Sequence, residues 1–351
     1  MFGVIASGIS GNLCQTVGGW VELSRHELNC ASDLITVNGC GSGFAVHENL
    51  MFLKHIITPA SGQMSNNLTF NGSCATLHAE RSSKNGAADV TEVAVDHISL
   101  ESTVDDSDDM SYGYIKNVAG QEKLGISHSV SVKCAGECTE PNRRETVFKW
   151  DPASLCTNIT RLDIACVTTG TFTAGSQVIV LGWDKCNTHA PECAFWQPLG
   201  QTTLTSASDN IEVASFTAKE WLMVNHFSIA CGSICTNITF NNDTCTNYAT
   251  RVNNNGASDN TFTNRANIDN LAVVGKGQFM TNIIRNQSDK EKLLIGHIIE
   301  STGAGECSAP ARNEVIAKWD NTASQITTID FTNVGGGSVT AGSYVQVWGA
   351  N

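Results

Sequence analysis

Two stretches decide how this chain is organised. One runs from Glu122-Lys123-Leu124 through Ala135-Gly136-Glu137-Cys138 to Phe148-Lys149-Trp150-Asp151. The other runs from Glu291-Lys292-Leu293 through Ala304-Gly305-Glu306-Cys307 to Ala317-Lys318-Trp319-Asp320. The second repeats the first at a constant offset of 169 (307 − 138 and 319 − 150). A further echo sets Thr173-Ala174-Gly175-Ser176 up to Leu181-Gly182 against Thr340-Ala341-Gly342-Ser343 up to Trp348-Gly349, now at 167 (342 − 175). Towards the N-terminus, Ala31-Ser32-Asp33 answers Ala207-Ser208-Asp209, and Leu50–Ile57 answers Trp221–Ser228. Leu68-Thr69-Phe70-Asn71 answers Ile238-Thr239-Phe240-Asn241, and Arg81 with Asn85-Gly86 answers Arg251 with Asn255-Gly256. Solenoid and propeller repeats span roughly 20 to 50 residues, so a period this long is the size of a whole domain. The expected organisation is a domain over 1–185, a connector over 186–199, and a second domain over 200–351 that repeats the first.

With 351 residues and 41% hydrophobic content, the chain can build two ordinary cores without a metal or partner to fold it. The net charge of −13, with no cluster of Lys and Arg, argues against nucleic acid or an anionic membrane as partner. No apolar run reaches the roughly 18 residues of a membrane span. Met1–Ser10 has neither the basic start nor the apolar length of a signal peptide. The 14 cysteines fall in even numbers into the two repeats and the connector, as disulfides would. Disulfides imply an oxidising destination, which export by lysis would reconcile with the missing signal. Asn-x-Ser/Thr sequons at Asn67, Asn71, Asn158, Asn237, Asn242 and Asn286 matter only in a secretory setting.

Strand signals recur and helical periodicity does not. Gln177-Val178-Ile179-Val180-Leu181 and Tyr344-Val345-Gln346-Val347-Trp348 are short, β-branched and bounded by Gly. Ile326–Phe331 and Trp221–Ile229 read the same way, and Asn-Gly pairs between such runs invite tight turns. The fold class expected is all-β: two tandem antiparallel β-sandwich domains of about eight strands each.

The second repeat passes from Leu204-Thr205-Ser206-Ala207-Ser208-Asp209-Asn210-Ile211 through Ile238-Thr239-Phe240-Asn241-Asn242-Asp243-Thr244 with Tyr248. It goes on to Trp319-Asp320-Asn321-Thr322-Ala323-Ser324-Gln325-Ile326-Thr327 and closes on Ala341-Gly342-Ser343 with Trp348-Gly349. It resembles a family of virion proteins common among marine tailed phages. Those domains open on a Leu-Ser-Ser-Ala-like strand, carry Phe-Asn-Gly-Asp-Thr-Gly and end on Gly-Ser-x-x-x-Leu-Tyr-Gly. The match spans nearly all of 200–351, and 20–184 follows it less closely. Val347-Trp348-Gly349 departs from Leu-Tyr-Gly, and the cysteine load exceeds what such domains carry. The resemblance implies jelly-roll-like sandwiches on a virion surface.

Trp150 and Trp319 hold equivalent positions and could stack a sugar or pack the sheets. Gly175-Ser176 and Gly342-Ser343 are turn and strand-entry residues. The run Asp105-Asp106-Ser107-Asp108-Asp109 offers carboxylates for Ca²⁺ or forms a solvated loop. Cys186, His189 and Cys193 are three of the four ligands zinc wants, or Cys186–Cys193 is a disulfide. If both repeats share one bridge, it joins Cys74 to Cys138 and Cys245 to Cys307, with Cys231 and Cys235 a local pair. His55 matches His226 and His128 matches His297, and Glu137 and Glu306 are the only acids worth testing beside them. No catalytic residue and no cofactor is expected.

These readings favour a structural protein on the virion surface, a capsid decoration or cement protein, or a part of a head fibre or tail. Its partners would be a major capsid or tail protein lattice and further copies of itself. The alternatives are an adhesin for a host surface glycan and an extracellular filament subunit.

Overall fold

The computed structural model describes residues 20–39, 43–59, 64–73, 75–103, 108–152, 157–168, 170–183, 194–232, 234–269, 277–300 and 310–351. Among them every regular element is a strand and every pairing is antiparallel. The chain divides into two compact units. One is drawn from Gln15–Cys134 and Asn142–Phe195, the other from Ala135–Pro141 and Trp196–Asn351.

The larger sheet of the first unit is ordered β1 (Trp20–Glu27), β12 (Gln177–Trp183), β3 (Asn49–Ile56), β8 (Asp109–Lys116), β9 (Lys123–Ser131), β10 (Asn142–Trp150), β5 (His78–Lys84), β6 (Val90–Val95). Its smaller sheet is β2 (Leu34–Asn38), β11 (Arg161–Cys166), β4 (Met64–Phe70), β7 (Ile98–Thr103). In the second unit the larger sheet is β13 (Gln197–Thr203), β25 (Tyr344–Ala350), β15 (Trp221–Cys231), β20 (Gly277–Arg285), β21 (Lys292–Glu300), β22 (Ala311–Trp319), β17 (Tyr248–Asn254), β18 (Asn260–Arg265). The smaller is β14 (Asn210–Val213), β23 (Ile329–Asn333), β16 (Thr236–Phe240), β19 (Ile268–Asp269), and a short β24 (Ser338–Val339) pairs the end of β15.

The two orders match strand for strand. In each, one group of four (β2-β11-β4-β7 or β14-β23-β16-β19) lies against a group that begins β3-β8 or β15-β20 and ends β5-β6 or β17-β18. That is the eight-strand jelly roll. The hairpins β9–β10 and β21–β22 are inserted in its larger sheet, and β1-β12 or β13-β25 extends it. The strand β13 begins at Gln197, inside the stretch read from sequence as a connector.

The inserted hairpins are the repeated stretches of the sequence. Lys123 stands opposite Trp150 and Lys292 opposite Trp319. Each lysine is buried and donates from Nζ to two carbonyls: Lys123 to Val118 and Gln121 (2.6 and 2.9 Å), Lys292 to Lys290 and Asn321 (2.5 and 2.6 Å). Burial brings the Lys292 pKa down to about 8. The Asn-Gly turns take positive φ at both residues, 53° and 72° at Asn85-Gly86, 52° and 76° at Asn255-Gly256, as tight hairpins require.

Both sheets of a unit contribute to one core. In the first, Leu50, Phe52, Val178 and Trp150 meet Ile35, Leu68, Phe70 and Leu162, and in the second Val224, Val345 and Trp319 meet Ile211, Ile238 and Phe331. The register corrects one expected equivalence. Lys54 lies opposite Val178, whereas His226 lies opposite Val345, the counterpart of Val178 at the offset of 167 (345 − 178). His226 therefore corresponds to Lys54, and His55 to Phe227. Strand side chains alternate faces, so a one-residue slip exchanges the two faces.

Candidate functional site

Trp150 and Trp319 end equivalent strands and both are core residues. Trp150 packs on Phe70 at 5.5 Å between ring centroids, and Trp319 on Phe240 at 5.7 Å and Tyr248 at 6.1 Å. Neither offers a stacking face to a sugar. The indole of Trp319 also donates from Nε1 to Asp243 Oδ2 (2.7 Å).

Gly175 and Gly342 have φ of 86° and 88°, a conformation that suits glycine. Their N–H groups donate to Leu28 O and Leu204 O (2.7 and 2.8 Å). The following serines, Ser176 and Ser343, are buried and their hydroxyls accept from Ile57 N and Ile229 N (2.9 and 2.7 Å). These residues bolt the last strand's entry turn to a neighbouring strand.

Glu137 enters a carboxylate cluster that sequence reading missed. The segment Ala135–Pro141 belongs to the second compact unit. Gly136 N donates to Glu291 Oε1 (2.6 Å), Asn264 N to Glu137 O (3.1 Å), and Arg251 Nε to Pro141 O (2.8 Å), with Arg251 Nη2 also on Glu140 Oε1 (3.2 Å). Beneath the segment, Glu291 faces Lys318 at 3.8 Å and shares hydrogen bonding with Asp320, which also meets Glu137. The equivalent pair in the first repeat, Glu122 with Lys149, is open to water, its side chains 41% and 46% exposed against 8% and 0% for Glu291 and Lys318. Burial raises the Glu291 pKa to about 7 and that of Asp320 above the usual carboxylate range, whereas Glu137 is held below it by its own backbone N–H and by Asp320.

A carboxyl whose pKa is raised by folding favours the native state in its protonated form. That contribution is complete below the unfolded value of 4.5 and is lost as pH rises through about 7. Glu291→Gln keeps the acceptor for Gly136 N and cannot ionise. Between about pH 4 and about pH 8 the stability of this variant should therefore gain on wild type by up to about 3 kcal/mol. Denaturant midpoints of the two proteins across that range check it, and parallel curves would show Glu291 to be an ordinary acid.

The histidines do have repeated acidic neighbours, though not the expected ones. Glu145 stands opposite His128 in β9–β10, and Glu314 opposite His297 in β21–β22, where Nε2 to Oε1 is 3.7 Å. The spacing 314 − 145 equals the repeat offset of 169, so the signal was present in the sequence. His226 is sealed against Phe331 at 4.2 Å, bonds Ser228 Oγ (2.6 Å), and is pushed by burial to a pKa of about 3. It remains neutral at any working pH.

Cys138 and Cys245 are exposed and carry free thiols, and the partners expected for them, Cys74 and Cys307, lie outside the described residues. Cys138 donates to Glu137 Oε1 and Asn264 Oδ1 (3.5 and 3.4 Å), and Glu137 pushes its pKa up. Cys235 is half-buried. Cys74, Cys307, Glu306 and the set Cys186, His189 and Cys193 lie outside the described residues, as do the side chain of Cys231 and Asp105–Ser107. Asp109 is no loop residue. It opens β8 wholly buried and ion-paired with Lys54. Among the sequons, Asn67 is buried and Asn286 is buried with both amide ends bonded, donating to Lys219 O (2.9 Å) and accepting from Ile326 N (2.7 Å). The folded protein cannot offer either to a glycan.

No family model and no curated protein matches the chain. Among solved structures it is similar to the T=3 Penaeus vannamei nodavirus at 8% identity, covering 95% of this chain and 89% of that one, with a TM-score of 0.20. It is similar to Sulfolobus turreted icosahedral virus at 9% identity, covering 91% and 94%, with a TM-score of 0.13. A lectin of Pleurotus ostreatus is similar at 10% identity, covering 95% and 80%, with a TM-score of 0.15. At such TM-scores these likenesses say nothing about this chain's role.

Proposed function

We propose that this chain is a non-catalytic structural protein of a virion surface, a capsid decoration or cement protein or a component of a head fibre or tail. The observation that carries the reading is the jelly-roll strand order present in both units. Double-sheet jelly rolls are an architecture of viral capsid domains and of lectins. The resemblance of 200–351 to virion domains favours the first, and the inward-turned Trp150 and Trp319 take away the aromatic platform the second would use. Adhesion to a lattice would come from broad contact. The edge strand β6 is exposed along nearly all its length, with Val90 and Val93 outermost, and an edge presents backbone groups that a strand of a capsid or tail protein, or of a second copy, can pair.

The test is location and copy number on purified particles, by quantitative mass spectrometry and imaged density. Many copies spread over the shell or along a fibre are expected, and loss of 200–351 should release the protein or weaken the shell to heat and osmotic shock. Particles left intact by that deletion but unable to adsorb to host cells would replace this reading with the glycan adhesin.

A further inference from the structure

We propose that Lys54 and Asp109 condense into an intramolecular isopeptide bond, Lys54 Nζ to Asp109 Cγ, that locks β3 to β8 within the first unit. The two residues lie on adjacent antiparallel strands, where Lys54 is opposite Ser111 and Asp109 opposite Ile56. They are thus diagonal neighbours on one face, about 7–8 Å apart at the backbone, a gap that a lysine stem spans. Lys54 Nζ is 2.5 Å from Asp109 Oδ1 and both side chains are 0% exposed. Asn66 of β4 donates from Nδ2 to Asp109 Oδ2. Glu101, also buried, stands opposite Asn66 on β7 and is held through Oε1 by Lys84 at 2.9 Å. Burial first, and the nearby Glu101 charge after it, push the Asp109 pKa upward, towards the acid form that the condensation needs.

As a permanent ion pair this arrangement makes poor sense, because desolvating two charges costs about as much as their attraction returns. The second unit does without it. At the positions matched by strand register it carries His226 for Lys54, Gln278 for Asp109 and Thr236 for Asn66. Thr236 Oγ1 simply donates to Gln278 Oε1 there (2.9 Å).

The step needs no co-reactant. Transfer of one proton within the pair gives an amine and a carboxylic acid. The Nζ lone pair attacks Cγ, and the negative charge that develops on Oδ2 is met by the Asn66 N–H. Glu101 accepts a proton from Nζ and delivers it to Oδ1. The Cγ–Oδ1 bond breaks, one water leaves, and Oδ2 remains as the amide carbonyl. Fixed proximity supplies the rate and the dry interior opposes hydrolysis.

Peptide mapping of the wild-type protein, reduced, alkylated and digested with trypsin, decides the matter. A branched peptide joining the Lys54 and Asp109 segments is expected, lighter than its two parts by one water, and trypsin should fail to cut at the acylated Lys54. Recovery of the two segments separately and in full from folded wild type overturns the proposal. In Glu101→Gln, shown by circular dichroism to be folded, most of the branched peptide should be lost and the separate segments recovered, while Lys54→Met should yield none. Undiminished cross-linking in Glu101→Gln would overturn the role given to Glu101.

Discussion

Trp319→Ala should lower the stability of the second unit by about 3–5 kcal/mol, the cost of truncating a fully buried large aromatic. Its ring is wholly inaccessible and is stacked nearly parallel to Tyr248, at 13°. The substitution would open a cavity bounded by Phe240 and Tyr248 and would take the indole donor from Asp243. Trp150→Ala should cost the first unit a similar amount for the same packing reason, since Phe70 and His78 flank it. Phenylalanine separates the packing from the hydrogen bond. The Trp150 Nε1 has no partner, so Trp150→Phe loses only volume, whereas Trp319→Phe also strips Asp243 and should cost about 1–2 kcal/mol more. Denaturant unfolding followed by circular dichroism measures all four. A loss below about 1 kcal/mol for Trp319→Ala would show that this core is not packed as described.

Much of this was legible. A repeat that preserves Lys opposite Trp across a β-hairpin preserves a cross-strand pair, so the β9–β10 and β21–β22 hairpins could be seen as sequence echoes before their partners were known. Strand order could not be seen in the same way. It rests on pairings such as Gln177 with His55, far apart in the chain, and nothing local in either run specifies the other. Composition misled at Asp109, where a run of acids reads as solvated loop although its last member turns into β8 and meets a lysine. It misled again at Lys54, because aligning His55 with His226 puts two similar residues together and two different faces of the sheet out of register. The Glu137 cluster was hidden for a third reason. Glu291 and Asp320 were visible as markers of the repeat, but only the placement of Ala135–Pro141 in the second unit buries one copy of a surface ion pair and leaves the other wet.

Asn241→Ala should destabilise the second unit by about 3 kcal/mol, and Asn71→Ala the first by a similar amount. Both residues take left-handed backbone angles, φ of 52° and 55°, in the turn that leaves the equivalent strands β16 and β4. Each side chain also fastens a second segment. Asn241 Oδ1 accepts from Thr327 N and Thr328 N (2.8 and 3.0 Å) while Nδ2 donates to Gln325 O (2.9 Å). Asn71 Oδ1 accepts from Thr160 N and Arg161 N (2.8 and 3.1 Å) while Nδ2 donates to Asn158 O (2.9 Å). Alanine loses these bonds and adds the left-handed penalty, about 1–2 kcal/mol. Glycine loses the bonds but tolerates the backbone, so Asn241→Gly should be milder than Asn241→Ala by about 1 kcal/mol. Aspartate keeps the acceptor and loses only the donor, and should be mildest of the three. The same order, Asp then Gly then Ala, is expected at Asn71. Equal losses for Gly and Ala at either site would mean that the side-chain bonds alone hold the turn, and a milder loss for Ala than for Gly would remove the left-handed turn from the account.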